Sequence, residues 1–181
     1  MSPVPQPPRV KLIAAMMAAN EGLIEDALSV LSQTYGAVEL KGSVFPFKYS
    51  DYYAAEMGEG LVKVFCSFTG LSEPGGIAAK KLEAMECERR FAAEGTGARR
   101  VNVDPGYVDG AKLVLATAKN AGHRVYVGSG VYAEIELIYR CGAFNPLEWT
   151  YADYREAAAL EFFGKVRRNY LAELKEEHPF R

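Results

Sequence analysis

Residues 9–19, RVKLIAAMMAA, form a run that is apolar on both faces, as the central strand of a sheet would be. Periodicity alone does not separate such a run from a buried helix, so the residues that follow arbitrate. Asn20 is a good N-cap for EGLIEDALSVLSQTYG, in which Leu23, Ile24, Ala27, Leu28 and Leu31 recur at helical spacing and Gly36 supplies a stop. The chain therefore opens as strand, then helix.

Residues 37–47, AVELKGSVFPF, are β-rich but interrupted by Gly42 and Pro46, which predicts an edge or bulged strand. Residues 61–68, LVKVFCSF, alternate cleanly and read as a better strand. Ser72 and Pro74 open a second helix over about 73–93, with Ile77, Leu82, Met85 and Phe91 available for its inner face. RVNV, 100–103, returns as a strand. The order β-α-β-β-α-β is that of the ferredoxin-like split βαβ, whose two helices cover one face of an antiparallel sheet.

Beyond Asp104 the chain exceeds that minimal core. GSG at 128–130 separates two β-rich runs, a hairpin signal, and AKLVLATAK at 111–119 reads as a strand before it. Alternation puts Tyr132, Glu134, Glu136 and Ile138 on one face, which predicts a solvated polar surface where Arg124 pairs with a facing carboxylate. Residues 150–178 open with Thr150 and Asp153 in a capping-box-like relation and place Phe163, Val166, Tyr170 and Leu174 on one stripe. That long amphipathic helix docks on the open sheet face or against a partner. The expected fold is α+β: a ferredoxin-like core extended by a β-hairpin or meander and a long C-terminal helix. Residues 1–8 read as a flexible Pro-rich tail and 9–181 as a single domain.

Composition narrows the function classes. A chain of 181 residues, 49% hydrophobic and 24% charged, has the usage of one ordinary globular domain. A net charge of -2, with each basic pair matched by nearby Glu, lacks the broad cationic footprint that nucleic acid attracts. Cys66, Cys87 and Cys141 are widely spaced, and with His123 and His178 the only histidines, neither a disulfide framework nor a metal-ligand spacing is visible. Reduced thiols in the cytoplasm fit best. The apolar run Leu12 to Ala19 is short for a secretory signal and follows four prolines. No stretch of 18 apolar residues predicts a membrane span.

Three clusters join carboxylates to tyrosines: FPFKYSDYYAAEMG at 45–58, NVDPGY at 102–107 with the strands after it, and EWTYADYR at 148–155. In the first, Asp51 and Tyr52 are candidate contacts of a loop closing over a ligand; a short helical turn with polar aromatic tips explains them equally. In the second, Asp104-Pro105-Gly106 is a turn sequence, followed by Tyr107. His123 is a candidate general acid or base, with Asp104 and Glu134 as further acid, base or magnesium-binding groups, although a lone histidine also serves as a structural residue. Lys112, Lys119 and Arg124 are candidates for binding phosphate or carboxylate. In the third, Trp149 and Tyr151 either stack on a planar ligand or close the core. Arg155 runs against the helix-dipole preference for acidic residues in a first turn, which suggests that another interaction holds it.

Taken together, FPFKYSDYYAAEMG, VNVDPGYV, KLVLATAKNAGHRVYVGSGVYAEIELIYR and LEWTYADYR resemble a prokaryotic family catalogued as domain of unknown function 4416, from Lys11 onward. Its members are often labelled GTP-binding protein, so the resemblance implies a nucleotide among the ligands to consider. The residues constrain how. There is no G-x-x-x-x-G-K-[ST]: GLSEPGG, from Gly70, has Gly76 where the phosphate-binding lysine would stand, and Asn-Lys-x-Asp is absent. GTP would have to bind by an unrelated mode. The expectation is a small anionic ligand, a nucleotide or phosphorylated metabolite, in a polar pocket between the 45–58 loop, the Asp104 corner and the following sheet. The competing expectation is a non-catalytic protein-binding or assembly module that forms a homo-oligomer through the final helix. No particular cofactor is indicated.

Overall fold

The computed structural model describes residues 5–177. Of the expected tail, 5–8 are exposed and without regular structure; residues 1–4 and His178 lie outside the described residues. Strand β1 (Lys11–Ala18) is buried along its whole length. It lies antiparallel between β4 (Val62–Phe68) and β5 (Val101–Val108). The other strands are β2 (Val38–Lys41), β3 (Phe45–Pro46), β6 (Lys112–Thr117), β7 (Val125–Gly128), β8 (Val131–Arg140) and β9 (Ala143–Pro146). They form one antiparallel sheet in the order β2-β4-β1-β5-β6-β8-β7, with β3 also on β4 and β9 on β8. The helices are α1 (Glu21–Tyr35), α2 (Ala54–Met57), α3 (Ile77–Arg90) and α4 (Ala157–Glu177).

Alternation along β1 feeds two cores. Leu12, Ala14 and Met16 pack with Ile24, Leu28 and Leu31 of α1 and with Val101 and Val103 of β5. Ile13 and Ala15 turn to the opposite face, where Phe65, Leu113 and Leu137 meet Phe162, Phe163 and Val166 of α4. The apolar stripe of the last helix is thus spent on its own sheet, and Leu174 at its far end is only half-buried. Lys11 is fully buried and pairs with Glu39 at 3.2 Å and with Glu173, tying α4 to the starts of β1 and β2. Asn20 caps α1 by accepting the Leu23 N–H at 2.9 Å.

Four local expectations are corrected. Asp104-Pro105-Gly106 is not a turn but lies inside the central strand β5. Gly106 is there for space, because a Cβ would sit 2.2 Å from the Val114 carbonyl oxygen of β6. Pro105 is tolerated because the N–H of Val103, two residues earlier, points away from β1 to Glu88, so the proline's missing N–H breaks no bond with β1. Second, Glu134 and Glu136 do not face solvent: both are buried. The pairing slips between Leu113↔Leu137 and Val114↔Ile135, so Glu136 is a bulged residue turned inward. Third, the inner face of α3 carries Lys81, Ala84, Cys87 and Glu88 beside the expected Ile77, while Leu82 is 42% exposed. Fourth, Thr150 and Asp153 cap no helix. Residues Ala152–Arg155 form a 3₁₀ turn, α4 starts at Ala157, and Thr150 Oγ1 donates to the Glu136 carbonyl while accepting the Leu147 N–H. Arg155 is held, as its odd position suggested, by the carbonyls of Leu147, Glu148 and Thr150.

Because Phe163 is wholly buried among Phe65, Tyr154 and Phe162, Phe163→Ala should cost about 3–5 kcal/mol in urea unfolding. Ending the chain after Arg155 should expose the second core and produce aggregates in light scattering; a folded monomer would show that α4 is dispensable.

Candidate functional site

β5 and β6 pair only from Gly106↔Leu115 to Val108↔Leu113. Beyond Gly106 the strands part, and a cavity of about 380 Å³ opens between them. Asn102 and Asp104 line it from β5, and Leu115, Ala116 and Thr117 from β6. Tyrosines 49, 52 and 53 and the segment 151–154 also line it, and Lys81, Met85 and Glu88 reach it from α3.

The parted edge of β5 organises one wall. The Val103 N–H donates to Glu88 at 2.7 Å and its carbonyl accepts from Lys81 Nζ at 2.8 Å. Lys81 Nζ also lies 3.5 Å from Asp104. Asp104 accepts from Asn102 Nδ2 at 2.8 Å, and Asn102 Oδ1 accepts from Arg99 at 3.0 Å. Arg99 grips Glu56 on α2 through its backbone N–H, Nε and Nη2, at 2.6–3.1 Å, which clasps the tyrosine-bearing segment to the sheet. These bonds from Arg99 hold the Glu56 carboxyl below the usual range. Burial pushes the Glu88 carboxyl up, against the opposing charge of Lys81.

At the floor, Lys63 Nζ stands 2.6 Å from Asp153 Oδ2, both side chains buried, within 5.2–5.7 Å of the Phe47, Phe65 and Tyr154 ring centroids. This ion pair is close but not aligned as a hydrogen bond, which leaves Asp153 Oδ2 without an aligned donor. The buried Tyr154 hydroxyl has no hydrogen-bond partner either. Burial raises its phenol well above the ordinary value, so it stands as a neutral hydroxyl.

The third wall is carboxylate. Glu134 Oε2 lies 2.7 Å from His123 Nε2 and 3.2 Å from Arg124 Nε. Arg124 also donates to the Tyr151 hydroxyl at 2.8 Å, and His123 stacks on Trp149 with ring centroids 5.2 Å apart. Behind them Glu136 accepts the Tyr151 N–H at 2.6 Å while its Oε2 is unpartnered. Burial pushes the Glu136 carboxyl up to about 8, reinforced by the charges of Glu134 and Asp153.

Of the residues singled out in the sequence, Asp104, Glu134, Lys119 and Tyr52 line the cavity. The Lys119 ammonium lies 3.7 Å from the centroid of the Tyr52 ring. His123 and Arg124 stand behind Glu134, off the wall. Lys112 is bound to Asp109 at 2.5 Å beyond the paired part of β5 and β6, and Tyr107 packs on Ile77, Ala116 and Val131. Neither lines the cavity, and the Asp51 side chain lies outside the described residues. Sequence reasoning missed Lys63, Lys81, Glu88 and Arg99, and it flagged the clusters holding Asn102, Asp153 and Tyr154 without assigning those three a role. Their only signal was polarity at positions where the local pattern read as solvent, turn or cap. Among the described residues no group of three or more His, Cys, Asp or Glu is placed to hold a metal ion, and no helix is long and apolar enough to cross a membrane.

The family described as a domain of unknown function (DUF4416) matches residues 8–170. The chain belongs to that family. No curated protein and no solved structure matches it. Every wall of the cavity described above falls within the stretch that DUF4416 covers.

Glu136 yields a pH test. Its proton affinity is higher folded than unfolded, so between about pH 4.5 and 8 the native protein keeps a proton that the unfolded chain gives up. Stability contributed by this group therefore falls as pH rises across that window and levels off above it. Glu136→Gln, which mimics the protonated acid, should gain stability over the parent as pH rises from 5 to 8, by a few kcal/mol, since each tenfold change in proton affinity is worth about 1.4 kcal/mol. Urea unfolding at several pH values checks this, and parallel curves would refute it.

Proposed function

We propose that this DUF4416 protein binds a small anionic ligand, a nucleotide or a phosphorylated metabolite, in the cavity between β5 and β6. The reading rests on which groups of the wall still have bonding capacity. The carboxylates are engaged: Asp104 by Asn102 and Lys81, Glu88 by the Val103 N–H, Glu134 by His123 and Arg124, and Asp153 by Lys63. The ion pairs of the described residues engage Lys63, Lys81 and Arg99 but leave out Lys119, and the Tyr154 hydroxyl donates to nothing. Beside Asp153 Oδ2, which has only its ion pair with Lys63, what the cavity offers an incoming molecule is two donors, the Lys119 ammonium and the Tyr154 hydroxyl, and they suit an anion. Its volume is in the range of small-molecule sites, and the exposed Tyr52 ring can stack on a planar group.

If the bound ligand is turned over, Glu134 is the wall group suited to move a proton, with Asp104 across the cavity. His123 and Arg124 would then act through Glu134 as positioning residues. The first half of the fold is read as a ferredoxin-like split βαβ, supported by the antiparallel order β2-β4-β1-β5 and the core that α1 and α3 share on one face. A cytoplasmic location is supported by three free thiols, two of them buried, with Cys66 pushed by burial up to about 12 and Cys87 to about 11. Assembly is the second reading. The end strand β7 exposes Val125 at 68% and Tyr126 at 59%, a surface on which a second copy could pair.

Thermal shift against GTP, GMP and simple phosphate monoesters tests the reading. A saturable rise in Tm is expected with phosphate-bearing compounds. Lys119→Ala should weaken it several-fold, and Tyr154→Phe should weaken it without lowering the Tm of the free protein, because the hydroxyl makes no bond that folding needs. A flat response across the panel would overturn the anion-binding reading and favour assembly.

A further inference from the structure

A second cavity, of about 670 Å³, adjoins the first. It lies between the β2–β3 segment and the first two turns of α4, and Tyr49 and Asp153 line both cavities. Its floor is Leu40, Phe45, Phe65, Ala159 and Phe162. The Phe45 and Phe162 centroids stand 5.6 and 6.2 Å from that of Phe65. Apart from the buried Asp153 at the junction with the first cavity, its charged side chains, Lys41, Lys48, Glu156, Glu161 and Lys165, are exposed at the rim. Gly42, also lining it, does not have the positive φ that would require glycine, and a Cβ there would come within 3.4 Å of the Phe162 ring and the Phe65 carbonyl oxygen. The absence of a side chain at Gly42 keeps that end of the floor open.

We infer that the ligand is amphiphilic: its anionic head occupies the charged cavity and an apolar tail passes Tyr49 into the phenylalanine-floored one. This rests on the anion-binding reading above and adds the substrate class to it. The observation that carries it is that two spaces sharing Tyr49 and Asp153 differ in what is buried: the first holds the ion pairs of Lys63, Lys81 and Glu134, whereas the floor of the second is aliphatic and aromatic and its other charged side chains are exposed. A compact phosphate would leave the second space unused; an acyl, prenyl or aryl tail would fill it and remove its apolar floor from water.

Calorimetric titration with ethyl, butyl and hexyl phosphate distinguishes the two readings. Affinity should climb roughly fourfold for each added methylene until the floor is covered. Ala158→Trp, at an exposed position on α4 lining the second cavity, should flatten that climb while leaving ethyl phosphate unchanged; Gly42→Leu should do the same from the opposite side. Circular dichroism confirms that each variant is folded, and Ala158→Trp alone suffices if Gly42→Leu is not. Binding of all three with no dependence on length would overturn the tail and leave the anion site standing. A climb that survives Ala158→Trp would place the tail elsewhere and overturn the inference. Binding of none would overturn both.

Discussion

The backbone of Val103 sets the terms for the structure around it. A peptide group inside a protein must find hydrogen bonds, and β6 has already left β5 by that point. Glu88 and Lys81 meet its N–H and carbonyl instead. Those two charges are therefore drawn onto the inner face of α3, where an apolar stripe was expected. Once buried, Lys81 needs a counter-charge, and Asp104 of the same strand supplies it and is steadied by Asn102 and Arg99. The polar wall of the cavity follows from one unpaired stretch of strand.

The opposite wall is built on a different economy. α4 covers the face of the sheet opposite α1 and α3 with phenylalanines, and the turn before it carries Tyr154 into the same core with the buried Asp153 beside it. Asp153 can be buried because Lys63 is buried beside it, and Lys63 because three aromatic rings surround it. Pairs of this kind add little net stability over apolar side chains of similar volume. Keeping several around one cavity, together with a hydroxyl that bonds to nothing, is easier to account for as recognition than as a device for folding.

Legibility was uneven in a consistent way. The strands at 11–18 and 62–68, the helix after Asn20, the GSG hairpin and the final helix were all readable, since each is written in neighbouring residues. Three polar stretches misled. Asp-Pro-Gly obeys the local rule for a turn, but the close approach of the Val114 carbonyl makes Gly106 a packing residue within a strand. Glu134 and Glu136 alternate as a wet face does, yet a bulge and the cover of the 147–155 segment bury them. Lys63 alternates with apolar residues as a surface lysine would, and only Asp153, ninety positions away, makes it a buried one.

By itself, then, the sequence determined the kinds and order of the main elements and the dry faces of β1, α1 and α4, because hydrophobic periodicity and capping act over one or two turns. It also pointed to the 45–58 loop, Asp104, Lys119 and Glu134, four features that the fold brings to one cavity. Which polar residues go inside was decided by the tertiary structure alone. A buried charge is tolerated only beside its partner, and here the partners come from distant segments: Lys63 with Asp153, Lys81 with Val103 and Asp104, Arg99 with Glu56. Such pairings leave no periodic mark on the chain, because nothing links the two residues until the sheet has formed.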